Sequence, residues 1–207
     1  FFIPAIDSTY TQAMLELESN YPQNVFLMMG LHPTHVKENF EEELALVEEW
    51  LSKRKFYAVG EIGIDLYWDK TFLKQQQEAF VFQIRLAKKH QLPIVIHCRD
   101  AFDEIFEILE QEKSDDLFGI FHCFTGTLEQ AYQAMSYNMK LGIGGVATFK
   151  NGKINGQGKA VITYIPQHPQ GLSEITFEGI FDNLDVINVT ANILIIQKSL
   201  IMSKRIM

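Results

Sequence analysis

The sequence predicts an α/β protein of the (β/α)8 TIM-type barrel class, and three observations support that prediction. Apolar runs rich in Val, Ile, Phe and Leu, typical of buried strands, alternate with charged segments that have helical spacing. No glycine-rich phosphate-binding turn of an open doubly wound sheet is present. Polar residues instead follow the carboxyl ends of successive apolar runs, as they do where parallel strands close into a barrel.

Six apolar runs and five charged segments alternate along the first 150 residues. Strand then helix, repeated along the chain, indicates parallel strands joined by right-handed crossovers. In the third helical segment Phe80, Ile84 and Ala87 recur at i, i+4 and i+7, which places an apolar stripe against the sheet. The predicted strands are Phe1–Ile6, Val25–Leu31, Tyr57–Ile64, Pro93–His97, Gly119–Phe124 and Lys140–Val146, and the predicted helices are Thr9–Tyr21, Phe40–Lys53, Phe72–His90, Phe102–Lys113 and Leu128–Tyr137.

The composition of the 207-residue chain is that of an ordinary globular protein. No apolar run approaches the roughly 18 residues of a membrane span and no signal-peptide pattern opens the sequence, so a cytoplasmic location without membrane association is expected. The net charge of −8, with no basic stripe, argues against non-specific affinity for nucleic acid. It does not exclude a nucleic acid substrate, because bound divalent cations can supply local positive charge.

Four consecutive strand ends carry residues with metal-binding or acid–base chemistry. His32 follows the second run, Glu61 and Asp65 the third, His97 the fourth and His122 the fifth. The intervals of 29, 36 and 25 residues between His32, Glu61, His97 and His122 are each about one βα unit, so these side chains are expected to converge at one rim of a barrel. Imidazole and carboxylate groups bind divalent ions, and a glutamate can bridge two of them. The pattern therefore favours a metal site over four separate structural histidines and carboxylates.

Residues beside these strand ends have alternative interpretations. Asp65 either caps the following turn or orients a metal ligand from behind. Arg99 either pairs with Asp100 or binds an anionic substrate. Trp50 and Trp68 are interpreted as packing residues rather than stacking platforms, because neither belongs to an aromatic ladder.

Each of the two cysteines directly follows one of the strand-end histidines, in IHCR and in FHCF. Because side chains alternate across a strand, Cys98 and Cys123 are expected on the face opposite His97 and His122, packed as small apolar groups. In a cytosolic protein, reduced and buried thiols are favoured over a disulfide.

Four motifs occur in order along the first three quarters of the chain: GLHP, AVGEIGIDLYWD, QQQEAFVFQIRLAKKHQLPIVIHCRDA and FHCFTGTLEQA. They resemble the motifs of the TatD-related deoxyribonucleases, which are metal-dependent hydrolases with a (β/α)8 barrel. The resemblance implies that Glu61 bridges two divalent metal ions and that His97 and His122 are metal ligands. It also implies that His32 lines the active site near the scissile phosphate, so that Glu61 and His32 are the expected catalytic residues.

Two parts of the family pattern are not found. The family's first strand carries a metal-binding HxH pair, and none precedes the opening FFIPAI. Its last strand ends in a TDSP-like aspartate, for which Asp182 and Asp185 are the nearest acidic substitutes. We therefore expect a single barrel domain over residues 1–207, incomplete at the first strand, with recognisable βα units over 1–153 and a divergent C-terminal part over 154–207.

The function implied by the resemblance is cleavage of the phosphodiester bonds of DNA by metal-activated water. The expected cofactors are two divalent ions of the Mg, Mn or Zn class, and the expected substrate is transiently bound, single-stranded DNA, with no obligate protein partner. Two alternatives stay open. Related barrels use the same metal chemistry to hydrolyse small molecules, as amidohydrolases do, and an incomplete or degenerate barrel would have no activity.

Overall fold

The structure, a computed structural model, describes residues 1–142, 156–164 and 173–181, the last two ranges as backbone only. Strands and helices alternate through the first range, as predicted. Short 3-10 turns occur at Ser8–Tyr10 and Pro33–His35. The elements in chain order are β1 (Phe2–Ile3), α1 (Thr11–Asn20), β2 (Phe26–Leu27), α2 (Phe40–Lys53), β3 (Val59–Asp65), α3 (Leu73–His90), β4 (Ile94–Arg99), α4 (Phe102–Glu112), β5 (Gly119–Phe121), α5 (Leu128–Ser136) and β6 (Met139–Leu141).

The strands of the first range are parallel and follow one another in space as they do in the chain. β1 pairs with β2, and β3, β4, β5 and β6 form one four-stranded sheet in that order. An isolated parallel bridge between Met29 and Val59 links the second strand to the third. Strand order that follows chain order, with a helix after each strand, is the arrangement of a TIM-type barrel wall. The predicted fold class is confirmed.

The helices pack apolar faces against these strands. Phe80, Ile84 and Ala87 of α3 are at most 1% exposed, which confirms the predicted stripe. Ile105 and Leu109, four residues apart on α4, are fully buried in the same way. Among the described residues, no helix combines the length and the apolar character that crossing a membrane requires.

Some strands are shorter than the apolar runs that predicted them. β5 ends at Phe121, three residues before the predicted Phe124, because Cys123 has a positive φ of 49° that turns the chain out of the ladder. The backbone N–H of His122 still donates to Ile96 O at 2.8 Å, so the position of His122 remains tied to β4. The predicted end of the last strand, at Val146, lies outside the described residues.

The backbone ranges beyond residue 142 form a separate compact unit. β7 (Gly156–Tyr164) and β8 (Ser173–Phe181) pair antiparallel, with Gly156 opposite Phe181 and Tyr164 opposite Ser173. The sequence did not predict this hairpin. Asp182 and Asp185, the suggested acidic substitutes, lie outside the described residues, and the division into one barrel domain with a divergent end stays a prediction.

Candidate metal centre

The strand-end residues come together around the carboxylate of Glu61. His32 Nε2 and His97 Nδ1 each lie 3.8 Å from Glu61 Oε2, and His122 Nε2 lies 3.8 Å from Glu61 Oε1. One ring nitrogen of His32, one oxygen of Glu61 and one ring nitrogen of His97 lie within 4.8 Å of one another. The three histidines come from three different βα units, so this convergence is produced by the parallel topology.

A bulge in β3 presents Glu61 to this cluster. Gly60 pairs with Val95 and Ile62 pairs with Ile96, so the register shift leaves Glu61 without a partner on β4. Bulges of this kind redirect one side chain and bend the strand locally. Gly63 completes the arrangement, because its φ is +139° and a Cβ atom there would lie 2.1 Å from His97 O. The glycines of GEIGID are thus required by the close approach of β3 to β4.

His32 is fixed by the 3-10 turn that it caps. Its backbone N–H donates to Ile6 O at 2.9 Å. Its Nδ1 accepts from the backbone N–H of Thr34 at 3.3 Å and lies 2.7 Å from the Thr34 hydroxyl. Since Nδ1 acts as an acceptor, the neutral ring carries its proton on Nε2. His32 therefore presents an N–H donor, and not a lone pair, towards Glu61.

Two buried glutamines on α3 hold the backbone of the site, and the sequence analysis did not single them out. Gln83 Oε1 accepts from Leu31 N at 2.7 Å, and Gln83 Nε2 donates to Leu31 O at 3.2 Å, directly before His32. Gln76 makes the same pair of bonds to Asp65 N and O, at 2.9 and 3.3 Å. The available signal was two amides seven residues apart on the apolar face of α3, where an unpaired polar group would be costly.

Asp65 fulfils both roles that the sequence left open. Its Oδ1 accepts from the backbone N–H groups of Tyr67 and Trp68, at 3.0 and 3.3 Å, and so caps the turn after β3. Its Oδ2 lies 2.8 Å from His97 Nε2. With the proton on Nε2 donated to this carboxylate, the Nδ1 lone pair of His97 faces Glu61. His97 thus has the orientation of a metal ligand.

Burial and neighbouring charges shift the site's pKa values in different directions. Burial, followed by repulsion from His97, lowers the pKa of His32 to about 4. Burial alone would lower the pKa of His97, but Glu61 and Asp65 raise it above its usual value. Burial opposes ionisation of Glu61, yet His97, His122 and His32 together lower its pKa. At neutral pH the site therefore combines an anionic carboxylate with an uncharged His32.

The expectation that both cysteines face away from the histidines is wrong for Cys123. Its Sγ lies 3.1 Å from His122 Nε2, because β5 has already ended and strand alternation no longer applies. Cys98, within β4, packs against the core as expected, and burial raises its pKa to about 12. Both cysteines are free thiols, in agreement with the predicted absence of a disulfide.

The two tryptophans have different environments. Trp50 packs against the core, as predicted. Trp68 does not: 71% of it is exposed, because it lies in the turn that Asp65 caps and not on an element facing the core. Arg99 makes no ion pair with Asp100 in the described part of the chain, and its Cζ lies 3.7 Å over the ring of Tyr67.

The donor set fits a divalent metal ion. Imidazole nitrogen together with carboxylate oxygen is the usual combination for Zn and related ions, and a carboxylate that contacts the far nitrogen of a ligand histidine, as Asp65 contacts His97 Nε2, is common in such sites. A barrel fold with this cluster at the carboxyl ends of its strands defines the class of metal-dependent hydrolases.

Comparison with known proteins identifies the family within that class. The sequence model of the family described as TatD related DNase matches residues 1–169, and the chain belongs to this family, as its motifs predicted. The chain is 41% identical over 158 residues to an uncharacterized metal-dependent hydrolase, YabD, of Bacillus subtilis, a match that covers 76% of this chain and 60% of YabD. It is 34% identical over 151 residues to YjjV of Escherichia coli, also named an uncharacterized metal-dependent hydrolase, with 71% and 57% covered.

Solved structures agree. The crystal structure of YjjV, a TatD homolog from Escherichia coli, aligns with a TM-score of 0.67 and 32% identity over 72% of this chain and 58% of that one. A TatD family hydrolase from Entamoeba histolytica aligns with a TM-score of 0.55 and 24% identity over 68% and 50%, which supports the fold. The chain thus spans about 60% of the length of the relatives it matches.

Proposed function

We propose that this protein hydrolyses phosphodiester bonds of single-stranded DNA, with two divalent ions of the Mg, Mn or Zn class bridged by Glu61. One observation above all supports this proposal. The two oxygens of Glu61 face different partners, His32 and His97 on the Oε2 side and His122 on the Oε1 side. A carboxylate with ligands on both sides is suited to bridging two ions rather than binding one. When bound, such ions polarise the phosphodiester, lower the pKa of a bound water and stabilise the leaving oxygen.

The residues of the chain take distinct roles in this proposal. Glu61, His97 and His122 would hold the ions, and Asp65 fixes the ring of His97 so that Nδ1 points inward. His32 contacts a non-bridging oxygen of the scissile phosphate through its Nε2–H. At physiological pH the ring is uncharged, since its pKa is about 4, and the contact of Nδ1 with Thr34 keeps the proton on Nε2 for this contact.

The activity is tested by metal content and nucleotide release measured together. We expect the chain to bind divalent metal, found by mass spectrometry, and to release nucleotides from single-stranded DNA in a reaction that a chelator stops. Glu61→Gln removes the bridging charge and should lower both metal content and rate at least about 100-fold. Glu107→Gln, the same change at an exposed position on α4, is the matched control and should alter neither.

The outcomes of this experiment separate the alternatives. Metal binding without release of nucleotides would contradict the nuclease proposal and point to a hydrolase of small molecules. Neither metal nor release would point to a barrel without activity. Unchanged metal content in Glu61→Gln would overturn the assignment of the bridging carboxylate.

A cytoplasmic location is part of the proposal. DNA is proposed as a transient partner, with no obligate protein partner. Cell fractionation tests the location: we expect the chain in the cytosolic fraction, and its recovery from the membrane or exported fraction would contradict the proposal.

A further inference from the structure

We propose that Tyr67, Trp68 and Arg99 form a binding platform for one nucleotide of a single-stranded nucleic acid, with a base stacked on Trp68 and a phosphate seated on Arg99. This inference rests on the proposed function, and it names residues that bind the proposed substrate. We call these three residues the aromatic platform.

The aromatic platform leaves large apolar faces in solvent. Trp68 is 71% exposed and Tyr67 is 54% exposed, and their rings meet edge to face with centroids 4.8 Å apart. The contact between the two rings accounts for their relative orientation, but it does not shield either ring from solvent. An indole with an open face is the side chain on which a base stacks without regard to its sequence.

Arg99 adds a preoriented cation to these rings. Its Cζ lies 3.7 Å over the ring centroid of Tyr67 and 5.4 Å from that of Trp68. Stacking of the guanidinium on Tyr67 leaves its N–H groups at the edges, where a phosphate binds. Within the described ranges Arg99 has no ion-pair partner. Lys37, beside Trp68, is already 3.7 Å from Asp69, so Arg99 is the better placed charge for a substrate.

Asp65 connects the aromatic platform to the metal centre. One of its oxygens accepts the backbone N–H groups of Tyr67 and Trp68, and the other contacts His97 Nε2. Arg99 follows His97 by two residues on β4, so both side chains project from the same face, about 7 Å apart along the strand. A strand whose phosphate reaches the metal centre therefore passes directly by these rings.

The chemistry of the aromatic platform favours a nucleic acid over other anionic substrates. A small phosphodiester would use the cation alone and leave the indole uncovered. A base in a duplex is stacked on its neighbours and cannot also stack on Trp68, so the platform predicts single strands as ligands. The exposed aromatic residues Phe2 and Tyr57 differ: they pack on each other and on the partly buried Phe26, and no cation lies over these three rings in the described structure.

The first experiment compares two substrates of equal charge. Wild type and Trp68→Ala are assayed on a single-stranded oligothymidylate and on the same sugar–phosphate chain with abasic residues. Wild type should have a lower KM for the base-bearing chain than for the abasic chain. In Trp68→Ala the ratio of the abasic KM to the base-bearing KM should fall about tenfold, which corresponds to the loss of one base stack. A change of stability or metal content would affect both substrates alike, so this ratio isolates the platform. An unchanged ratio overturns the inference.

The second experiment detects binding without catalysis. The chain has two tryptophans, so Trp50→Phe leaves Trp68 as the fluorophore and Trp68→Phe leaves Trp50, which packs against the core. A phosphorothioate-linked oligothymidylate, which resists cleavage, should quench the fluorescence of Trp50→Phe and have little effect on that of Trp68→Phe. Equal quenching in both variants, or in neither, contradicts the inference. Stronger quenching by duplex DNA than by the single strand also contradicts it.

Arg99 is tested through the salt dependence of binding. Loss of one phosphate contact lowers the slope of log affinity against log salt concentration by about 0.7 for a single strand. Arg99→Gln should show this decrease in the fluorescence titration, whereas Arg85→Gln, an exposed arginine on α3 paired with Glu112, should keep the wild-type slope. Failure of the proposed function is distinguishable: quenching confined to Trp68 in a protein that cleaves no DNA would contradict the nuclease proposal and retain the platform.

Discussion

The two His-Cys segments of this chain have nearly the same sequence and different structures. In IHCR the strand β4 continues through His97 and Cys98 to Arg99, whereas in FHCF the strand β5 ends at Phe121, before the histidine. Cys98 therefore packs against the core, where burial raises its pKa to about 12. Cys123, at a φ of 49°, turns its sulfur to within 3.1 Å of His122 Nε2.

The histidines of the two segments differ in the same way. His97 is held from behind by Asp65, at 2.8 Å from its Nε2, while Asp65 is only 2% exposed. His122 has a thiol, a weak hydrogen-bonding group, as its neighbour. A repeated dipeptide at a strand end thus does not imply repeated surroundings. The surroundings of each histidine depend on the length of its strand and on the residue behind its ring.

The largest expected effect is the difference in stability between a variant that lacks the imidazole of His97 and one that lacks the imidazole of His122. His97→Ala leaves Oδ2 of the buried Asp65 carboxylate without its partner, so we expect a loss of about 3 kcal/mol in the free energy of unfolding of the metal-free protein. His122→Ala leaves no buried charge unpaired and should cost about 1 kcal/mol or less. Both variants should lose most of their bound metal. Urea denaturation in chelator, with metal content measured separately, gives the two quantities.

Equal destabilisation by the two substitutions would show that the 2.8 Å contact of His97 with Asp65 carries no special weight. His97→Gln is a useful second variant, because its amide can still donate to Asp65 and should recover part of the stability without recovering metal affinity. Full metal content in His122→Ala would contradict its assignment as a ligand.

Asp65→Asn tests how the carboxylate behind His97 affects metal binding. An amide that donates its N–H to His97 Nε2 would move the imidazole proton to Nδ1, the atom that faces Glu61. We expect metal affinity to fall about 10- to 100-fold, as is typical when a ligand histidine loses the carboxylate that orients its ring. Asp100→Asn removes the same charge from an exposed position whose φ of 55° an asparagine tolerates, and it is the matched control for a competition titration with a metal indicator.

Much of the fold could be predicted from the sequence because its signals are local. The i, i+4 and i+7 stripe of Phe80, Ile84 and Ala87 lies on one helix, and each polar strand end directly follows its own apolar run. Convergence of the strand ends then follows from parallel topology, which is why His32, Glu61, His97 and His122 could be selected together.

The features that the sequence did not predict depend on contacts between distant segments. The carboxamide of Gln83 accepts a hydrogen bond from Leu31, 52 residues away, and the sequence next to either residue does not predict that bond. The early end of β5 depends on a single backbone torsion at Cys123. The exposure of Trp68 was missed because Trp68 belongs to no aromatic ladder and was therefore interpreted as a packing residue, whereas the capping contact with Asp65 places it in a turn.

The smallest expected effect is that of His32 on the pH dependence of stability. It lies against His97 and not His122, and burial together with His97 lowers its pKa to about 4 from an unfolded value of 6.5. Below pH 6.5 the unfolded state binds a proton that the folded state does not, so stability contributed by neutral His32 is present above that pH and lost as pH falls towards 4. His97, with its raised pKa, acts in the opposite sense: its contribution is present below pH 6.5 and lost as pH rises through its folded pKa.

In the metal-free protein, acidification from about pH 6.5 to about pH 5.5 should cost about 1 kcal/mol through His32, a range that stays above the ordinary pKa of Glu61. His32→Gln should reduce the slope of unfolding free energy against pH by that amount. Above about pH 7.5, where an unfolded histidine carries no more than about a tenth of a proton, the variant and wild type should have equal slopes, which serves as the internal control. Because His97 is the principal charge that repels a proton from His32, NMR titration should give His32 a higher pKa in His97→Gln than in His122→Gln, and equal values would contradict the closer coupling of His32 to His97.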